Sequence, residues 1–89
     1  MKMNYGVLFK RKSGEIVKVM NGYSSALMIG WALTGNIKAS EDFVVFDEDG
    51  TINFYCEGKK DDMPNVCKDM EGKHIDTLCE GLLEAVKAE

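Results

Sequence analysis

Two segments with the pattern of a β-hairpin constrain the fold of this chain more than any other feature. Apolar and polar residues alternate in the first strand of the first segment and in the second strand of the second, and Ser13-Gly14 and Asp49-Gly50 supply the turns at the centres of the segments. The four strands that this pattern predicts are Met3–Arg11, Glu15–Met20, Asp42–Asp47 and Thr51–Cys56. Since each pair is joined by a short turn, we expect a four-stranded, mainly antiparallel sheet.

Helical patterns follow each hairpin. Ser24 or Ser25 can cap a helix over Ala26–Leu33, because a serine oxygen accepts a hydrogen bond from the first turn. Pro64 fits the first turn of a short second helix, and Lys73–Ala88 repeats apolar residues at the helical period. The predicted order is ββαββα, which gives a two-layer α+β fold with helices packed on the sheet. A chain of 89 residues has the size of one globular domain, covering 1–89.

The segment Lys73–Ala88 predicts three stripes along one helix. Apolar residues form a stripe for the core, and charged residues form a second stripe for solvent. The third stripe contains only small residues, Thr77, Gly81 and Ala85, so another backbone can approach it closely. We therefore predict that this third stripe belongs to an interaction surface.

The helix Ala26–Leu33 is the other predicted part of the interaction surface. It contains no charged residue, so no face of it is suited to water. Its small residues Ala26 and Gly30, together with Trp31, are candidates for contact with a partner. The strand segment Phe43-Val44-Val45-Phe46 is apolar on both sides, which is more apolar surface than one layer of helices covers. We therefore expect a protein partner, most simply a second copy in a homo-oligomer.

Charge is distributed unevenly along the chain. The 11 basic and 15 acidic residues give a net charge of -4, which argues against a protein that binds nucleic acid. Residues 1–40 carry a net charge of +5, and residues 41–89 carry -9. The second half therefore offers a candidate acidic surface, whose members are Asp61, Asp62, Asp76, Glu80 and Glu84. Such a surface can imitate a phosphate backbone and occupy a basic partner.

The residue types that carry out catalysis or bind metals are few and widely spaced. Cys56, Cys67 and Cys79 lie 11 and 12 positions apart, and none belongs to a Cys-x-x-Cys pair. His74 is the single imidazole base, and the sequence has no glycine-rich loop of the kind that holds phosphate. We therefore predict no catalytic residues, no metal site and no cofactor.

The sequence has no signal for export or for membrane insertion. Its apolar start breaks at Lys10-Arg11-Lys12, unlike a signal peptide. The longest apolar run, Ala26–Leu33, is far shorter than the roughly 20 residues of a membrane span. Three cysteines also differ from the even, dense set of a small secreted scaffold. The expected location is the cytoplasm, without a membrane.

Together these features predict a small cytoplasmic module that binds other proteins, self-associates and has no enzymatic activity. One alternative is an acidic inhibitor of the phage or mobile-element type, which blocks a basic nucleic-acid-binding partner. The other alternative is a small-ligand-binding domain in which the loop Glu57–Asn65 forms a lid.

Overall fold

The alternating segments form an open antiparallel sheet of five strands. We describe it from a computed structural model, which covers residues 3–59, 64–78 and 80–88. The strands are β1 (Asn4–Lys10), β2 (Ile16–Asn21), β3 (Glu41–Asp47), β4 (Ile52–Glu57) and β5 (Asn65–Val66). Their order in the sheet is β2-β1-β3-β4-β5, and every neighbouring pair is antiparallel. A small α+β fold with an antiparallel sheet is therefore confirmed, but the predicted number of four strands was wrong.

The additional strand lies where a short helix was predicted from Pro64. In β5, Asn65 is paired with Glu57 and Val66 with Cys56, so β5 extends the sheet beyond β4. A 3-10 helix follows at Lys68–Met70. Two residues are too few to show an alternating pattern, so the sequence did not predict β5. It forms because the edge of β4 offers it backbone hydrogen bonds.

The first helix, α1 (Ser25–Leu33), begins and ends within one residue of its predicted bounds. Ser24 is its N-cap, and the Ser24 Oγ accepts a hydrogen bond of 3.2 Å from the backbone N–H of Leu27. At the other end, the Asn36 side-chain amide donates a hydrogen bond of 2.7 Å to the carbonyl oxygen of Trp31. Both ends are therefore closed by neighbouring side chains, as the serine pattern predicted for the first turn.

The single helix predicted over Lys73–Ala88 is wrong. The segment contains a 3-10 helix, Ile75–Thr77, and a separate α-helix, α2 (Leu82–Lys87). Gly81, which precedes α2, has a φ of 79°, a left-handed conformation that interrupts a right-handed helix. The carbonyl oxygen of Lys73 accepts a hydrogen bond of 2.8 Å from the backbone N–H of Ile52, at the start of β4. Because β4 occupies this carbonyl oxygen, it is not available to accept the first hydrogen bond of a helix that begins at Lys73.

This break also removes the predicted stripe of small residues. Thr77 ends the 3-10 helix, Gly81 lies between the two helices, and Ala85 lies on α2. The hydroxyl of Thr77 donates a hydrogen bond of 2.6 Å to the carbonyl oxygen of His74. These three residues therefore share no single helix face, so the predicted helical stripe was wrong. That they belong to an interaction surface stays a prediction.

Helices cover both faces of the sheet. On one face, Met28 and Ala32 of α1 pack in a cluster with Leu8, Met20, Ile37, Phe43, Val45, Phe54 and Cys56. On the opposite face, Leu82 and Val86 of α2 and Ile75 pack with Val7, Phe9, Val44, Phe46, Ile52 and Tyr55. The two clusters take alternate residues of each central strand, as a pleated sheet requires. The helices and the sheet therefore form three layers, where two layers had been predicted.

The third layer bears directly on the expected homo-oligomer. That expectation depended on one sheet face being left without a helix, and the chain itself covers both faces. The apolar pattern of β3 is explained by these two clusters, so it gives no support to association. No helix within the described parts of the chain has both the length and the apolar composition needed to cross a membrane.

Candidate functional site

A groove of about 540 Å³ lies between β2 and α1. Its wall combines strand residues and helix residues, namely Lys18, Val19, Met20, Asn21, Tyr23, Leu27, Met28 and Trp31. Met20 and Met28 are buried at its base, where they belong to the cluster under α1. The volume is within the range of sites that hold a small molecule or an anchoring side chain.

Two large apolar side chains at the groove are exposed to solvent. Leu27 is 65% exposed and Tyr23 is 56% exposed. Leu27 is on the outer side of α1, because Met28 and Ala32 take the positions that face the sheet. In a surface helix the outer positions are normally charged or polar, but α1 has no charged residue. The outer side of α1 is therefore apolar although no part of the described chain covers it.

Trp31 connects the groove to the core. Its ring centroid lies 5.2 Å from that of Phe43, and the two rings are tilted by 54°. The ammonium group of Lys18 lies 5.4 Å from the centroid of the Trp31 ring, within the range of a cation–π contact. None of the ion pairs between described residues includes Lys18. The groove therefore contains one cation, held over an aromatic ring, without a carboxylate partner.

The strand that forms the other wall lies at the edge of the sheet. In the described chain β2 is paired only with β1, so the other edge of its backbone faces no strand. The register shifts between Leu8 and Phe9, because Phe9 is paired with Ile16 and Leu8 with Lys18. Val17 is therefore the extra residue of a β-bulge, and it is 46% exposed. Beyond the bulge, Lys18–Asn21 follows a regular ladder beside the groove.

The predicted residues of the first helix are only partly gathered at this groove. Trp31 lines it, whereas Ala26 and Gly30 are exposed on α1 outside its lining. A carbon atom added at Gly30 would meet no atom within 4 Å, so the space beside this glycine is open. Lys18, Tyr23 and Leu27 were not predicted. The charge-free composition of α1 pointed to Leu27, but nothing in the local pattern distinguishes Lys18 or Tyr23.

The candidate acidic surface lies only in part within the described residues, and it stays a prediction. Asp61 and Asp62 lie outside the described residues. Asp76, Glu80 and Glu84 are exposed, but the break at Gly81 means that they share no continuous helix. The Asp76 Oδ1 accepts a hydrogen bond of 3.2 Å from the backbone N–H of Leu83, so this acid has a structural role at the start of α2. Residues 60–63, the centre of the loop Glu57–Asn65 that was predicted as a lid, lie outside the described residues.

A polar cluster lies on the sheet face opposite to α1. There Arg11 meets the start of β3 and the end of β4. The Arg11 Nε lies 2.8 Å from the Asp42 Oδ1 and 3.6 Å from the Glu57 Oε2. The hydroxyl of Tyr55 donates a hydrogen bond of 2.5 Å to the Asp42 Oδ2. Asp42 is 4% exposed, and each of its carboxylate oxygens accepts one of these hydrogen bonds. This network is satisfied internally and presents no free reactive group among these residues.

The two described cysteines favour the protonated thiol. Burial, and then the charge of Asp42, raise the pKa of Cys56 to about 12. Burial, and then the charge of Glu57, also raise the pKa of Cys67. The thiolate is the nucleophile and the metal ligand, so these environments reduce both activities. Within the described ranges, no three or more His, Cys, Asp or Glu residues come together in a group that could hold a metal ion.

The raised pKa of Cys56 predicts alkaline instability. Between pH 9.0, the ordinary value, and about pH 12, the folded protein keeps the Cys56 proton while the unfolded chain releases it. The free energy of unfolding should therefore fall by about 1.4 kcal/mol per pH unit for this group. Burial, and then its hydrogen bond to Asp42, raise the pKa of Tyr55 above its ordinary value of 10.0, which adds a second loss at higher pH.

Urea unfolding at pH 8, 9, 10 and 11 measures this dependence. We expect Cys56→Ala to lower stability at pH 8 but to flatten the slope between pH 9 and pH 10. Cys67→Ala is the control, because Cys67 is only half-buried and should change the slope less. Equal slopes in the wild-type protein and Cys56→Ala would contradict the assignment.

No known protein family, no curated protein and no solved structure matches the chain.

Proposed function

We propose that this protein is a non-enzymatic interaction module that binds another polypeptide through the groove between β2 and α1. The observation that carries the proposal is the exposure of Leu27 and Tyr23 around this groove, beside an open strand edge. Exposed apolar side chains that occur singly are ordinary, but a group of them around a concavity is typical of a binding site.

The residue types at the groove are those that contribute most to protein interfaces. Tryptophan and tyrosine are enriched among residues whose removal costs the most binding energy. Trp31 is held by its contact with Phe43, so little side-chain freedom is lost when a partner packs against it. Burying a leucine such as Leu27 contributes about 1.5 to 3 kcal/mol when its side chain becomes fully covered.

The absence of catalysis is part of the proposal and has its own support. Among the described residues that line the groove, Lys18 is the single charged one, and none is an acid, a histidine or a cysteine. General acid–base catalysis needs a proton donor or acceptor within hydrogen-bond reach of the substrate. The other ionisable cluster, around Asp42, has its oxygens occupied by Arg11 and Tyr55. A binding role therefore fits the chemistry of both sites better than an enzymatic role.

The test compares two exposed apolar residues, Leu27 on α1 beside the groove and Val66 on the distant edge strand β5. Leu27→Ser removes the apolar side chain from the groove, and Val66→Ser makes the same kind of change on β5, where Val66 is 37% exposed. Tagged wild-type protein and both variants are used to capture partners from the cells that produce the protein. Thermal unfolding of each variant confirms that it is folded.

We expect Leu27→Ser to lose at least about tenfold in affinity for the captured partner, and Val66→Ser to lose less than about twofold. Sedimentation of the purified proteins shows at the same time whether the partner is a second copy of the chain. Equal binding by wild type and Leu27→Ser would overturn the proposal.

A further inference from the structure

We infer that the occupant of the groove is an extended segment of another protein, which adds to the open edge of β2 and carries a carboxylate next to a large apolar side chain. This inference rests on the proposed function, since it names the class of partner for the same groove. Three features support it together: the edge of Lys18–Asn21 that no described strand covers, the Lys18 ammonium group that forms no ion pair with a described residue, and the apolar groove beside them.

The backbone of β2 supplies the first feature. An edge strand has N–H and C=O groups directed away from the sheet, and an extended peptide can pair with them as an additional strand. The bulge at Val17 disturbs one end of β2, but Lys18–Asn21 keeps a regular ladder with β1. The added strand can therefore pair with the short stretch Lys18–Asn21, which lies along the groove.

Charge complementarity decides what the added strand carries. Lys18 and Met20 point to the same face as α1, because alternate residues of a strand share a face. An added strand that continues the sheet would direct every second side chain over the same groove. One of these side chains meets the ammonium group of Lys18 and another meets Leu27 and Trp31. A carboxylate followed two positions later by a large apolar residue satisfies both contacts.

The same lysine argues against a second copy at this edge. If β2 were paired with β2 of a second copy around a two-fold axis, both Lys18 ammonium groups would lie on the same face of the joined sheet. Like charges brought together in this way are unfavourable, and a lysine on an edge strand commonly prevents edge-to-edge pairing. Lys18 therefore favours an acidic segment over a copy of its own strand.

A display library of random peptides, selected on the intact wild-type protein, tests this inference. We expect the recovered peptides to be enriched in Asp or Glu two positions from an aromatic or aliphatic residue. For the tightest peptide, Lys18→Glu should weaken binding by about tenfold, whereas Lys68→Glu, a charge reversal outside the groove, should change it by less than about twofold. Amide hydrogen exchange should slow at Lys18–Asn21 when this peptide is added, and remain unchanged at Asn65–Val66.

The contrary outcomes distinguish a failure of this inference alone from a failure of the proposed function as well. Peptides that lose binding in Leu27→Ser but show no acidic preference, or that leave exchange at Lys18–Asn21 unchanged, would overturn the acidic strand and keep the groove as the binding site. A stable dimer of the wild-type protein that dissociates in Leu27→Ser would do the same, with a second copy as the occupant. Binding that is insensitive to both Leu27→Ser and Lys18→Glu would overturn the inference and the proposed function together.

Discussion

Replacing Asp42 by alanine is expected to lower the free energy of unfolding by about 3 kcal/mol. Asp42 is 4% exposed, and its carboxylate is bound by the Arg11 guanidinium and the Tyr55 hydroxyl. Without it, the Tyr55 hydroxyl is left in a buried position without an acceptor. Arg11 then loses its shortest ion pair and keeps the contact with Glu57 at 3.6 Å and a hydrogen bond of 3.2 Å to the carbonyl oxygen of Gly58. Removing one partner of a buried polar network costs more than the network itself contributes, because the remaining groups stay desolvated.

Chemical denaturation of the wild-type protein and two variants measures this loss. Asp69→Ala is the matched control, since Asp69 lies exposed on the 3-10 helix Lys68–Met70 and should change stability by less than about 0.5 kcal/mol. The double variant Asp42→Ala with Tyr55→Phe should lose about 1 kcal/mol less than the two single losses added together. Additive losses would show that the hydrogen bond between Tyr55 and Asp42 contributes nothing.

Replacing Gly58 by alanine is expected to cost about 3 kcal/mol, by a different mechanism. The added carbon would overlap the carbonyl oxygen of Lys38 and would lie 2.9 Å from the Ile37 side chain. The obstructing atom belongs to the backbone, so no change of side-chain conformation relieves the overlap. Gly58 also donates a backbone hydrogen bond of 2.9 Å to the carbonyl oxygen of Glu41, which holds the two segments close together.

Gly30→Ala is the matched control, because it adds the same carbon atom where nothing lies within 4 Å. Alanine is favoured over glycine inside a helix, so this variant should gain about 0.5 to 1 kcal/mol. The two glycine variants should therefore shift the thermal unfolding midpoint in opposite directions. A small effect of Gly58→Ala on the thermal unfolding midpoint would contradict the close approach of the Lys38 carbonyl to Gly58.

Local patterns were sufficient to predict the two hairpins and α1. The turn at Asp49-Gly50 and the serine cap at Ser24 are effects of neighbouring residues, so they can be read from a short stretch of sequence. The interruption of the predicted Lys73–Ala88 helix depends instead on the hydrogen bond from Ile52 of β4 to the carbonyl oxygen of Lys73, which joins residues that are distant in the sequence. Since Ile75, Leu82 and Val86 all reach one core cluster, their spacing also fitted a single helix.

The groove was predictable only in part, for a related reason. The lack of charge in α1 indicates an unusual outer surface, and Trp31, which this reasoning selected, lines the groove. The position of Lys18 depends on the bulge at Val17, which shifts the alternation within β2. Simple alternation assigns Val17 and Val19 to one face, but Ile16 and Val19 pack against the same cluster. A one-residue insertion in a ladder has no reliable signal in the sequence.

The place of β1 beside β3 has a consequence for synthesis of the chain. The ladder between β1 and β3 joins residues that lie from 31 positions apart, at Lys10 and Glu41, to 43 positions apart, at Asn4 and Asp47. The first hairpin and α1 can therefore form on the ribosome, but the central pairing must wait until β3 has emerged. During this interval the edge of β1 that later pairs with β3 is unpaired. Mutations that delay the pairing of β3 with β1 should therefore increase aggregation of nascent chains, even where they leave the stability of the finished protein unchanged.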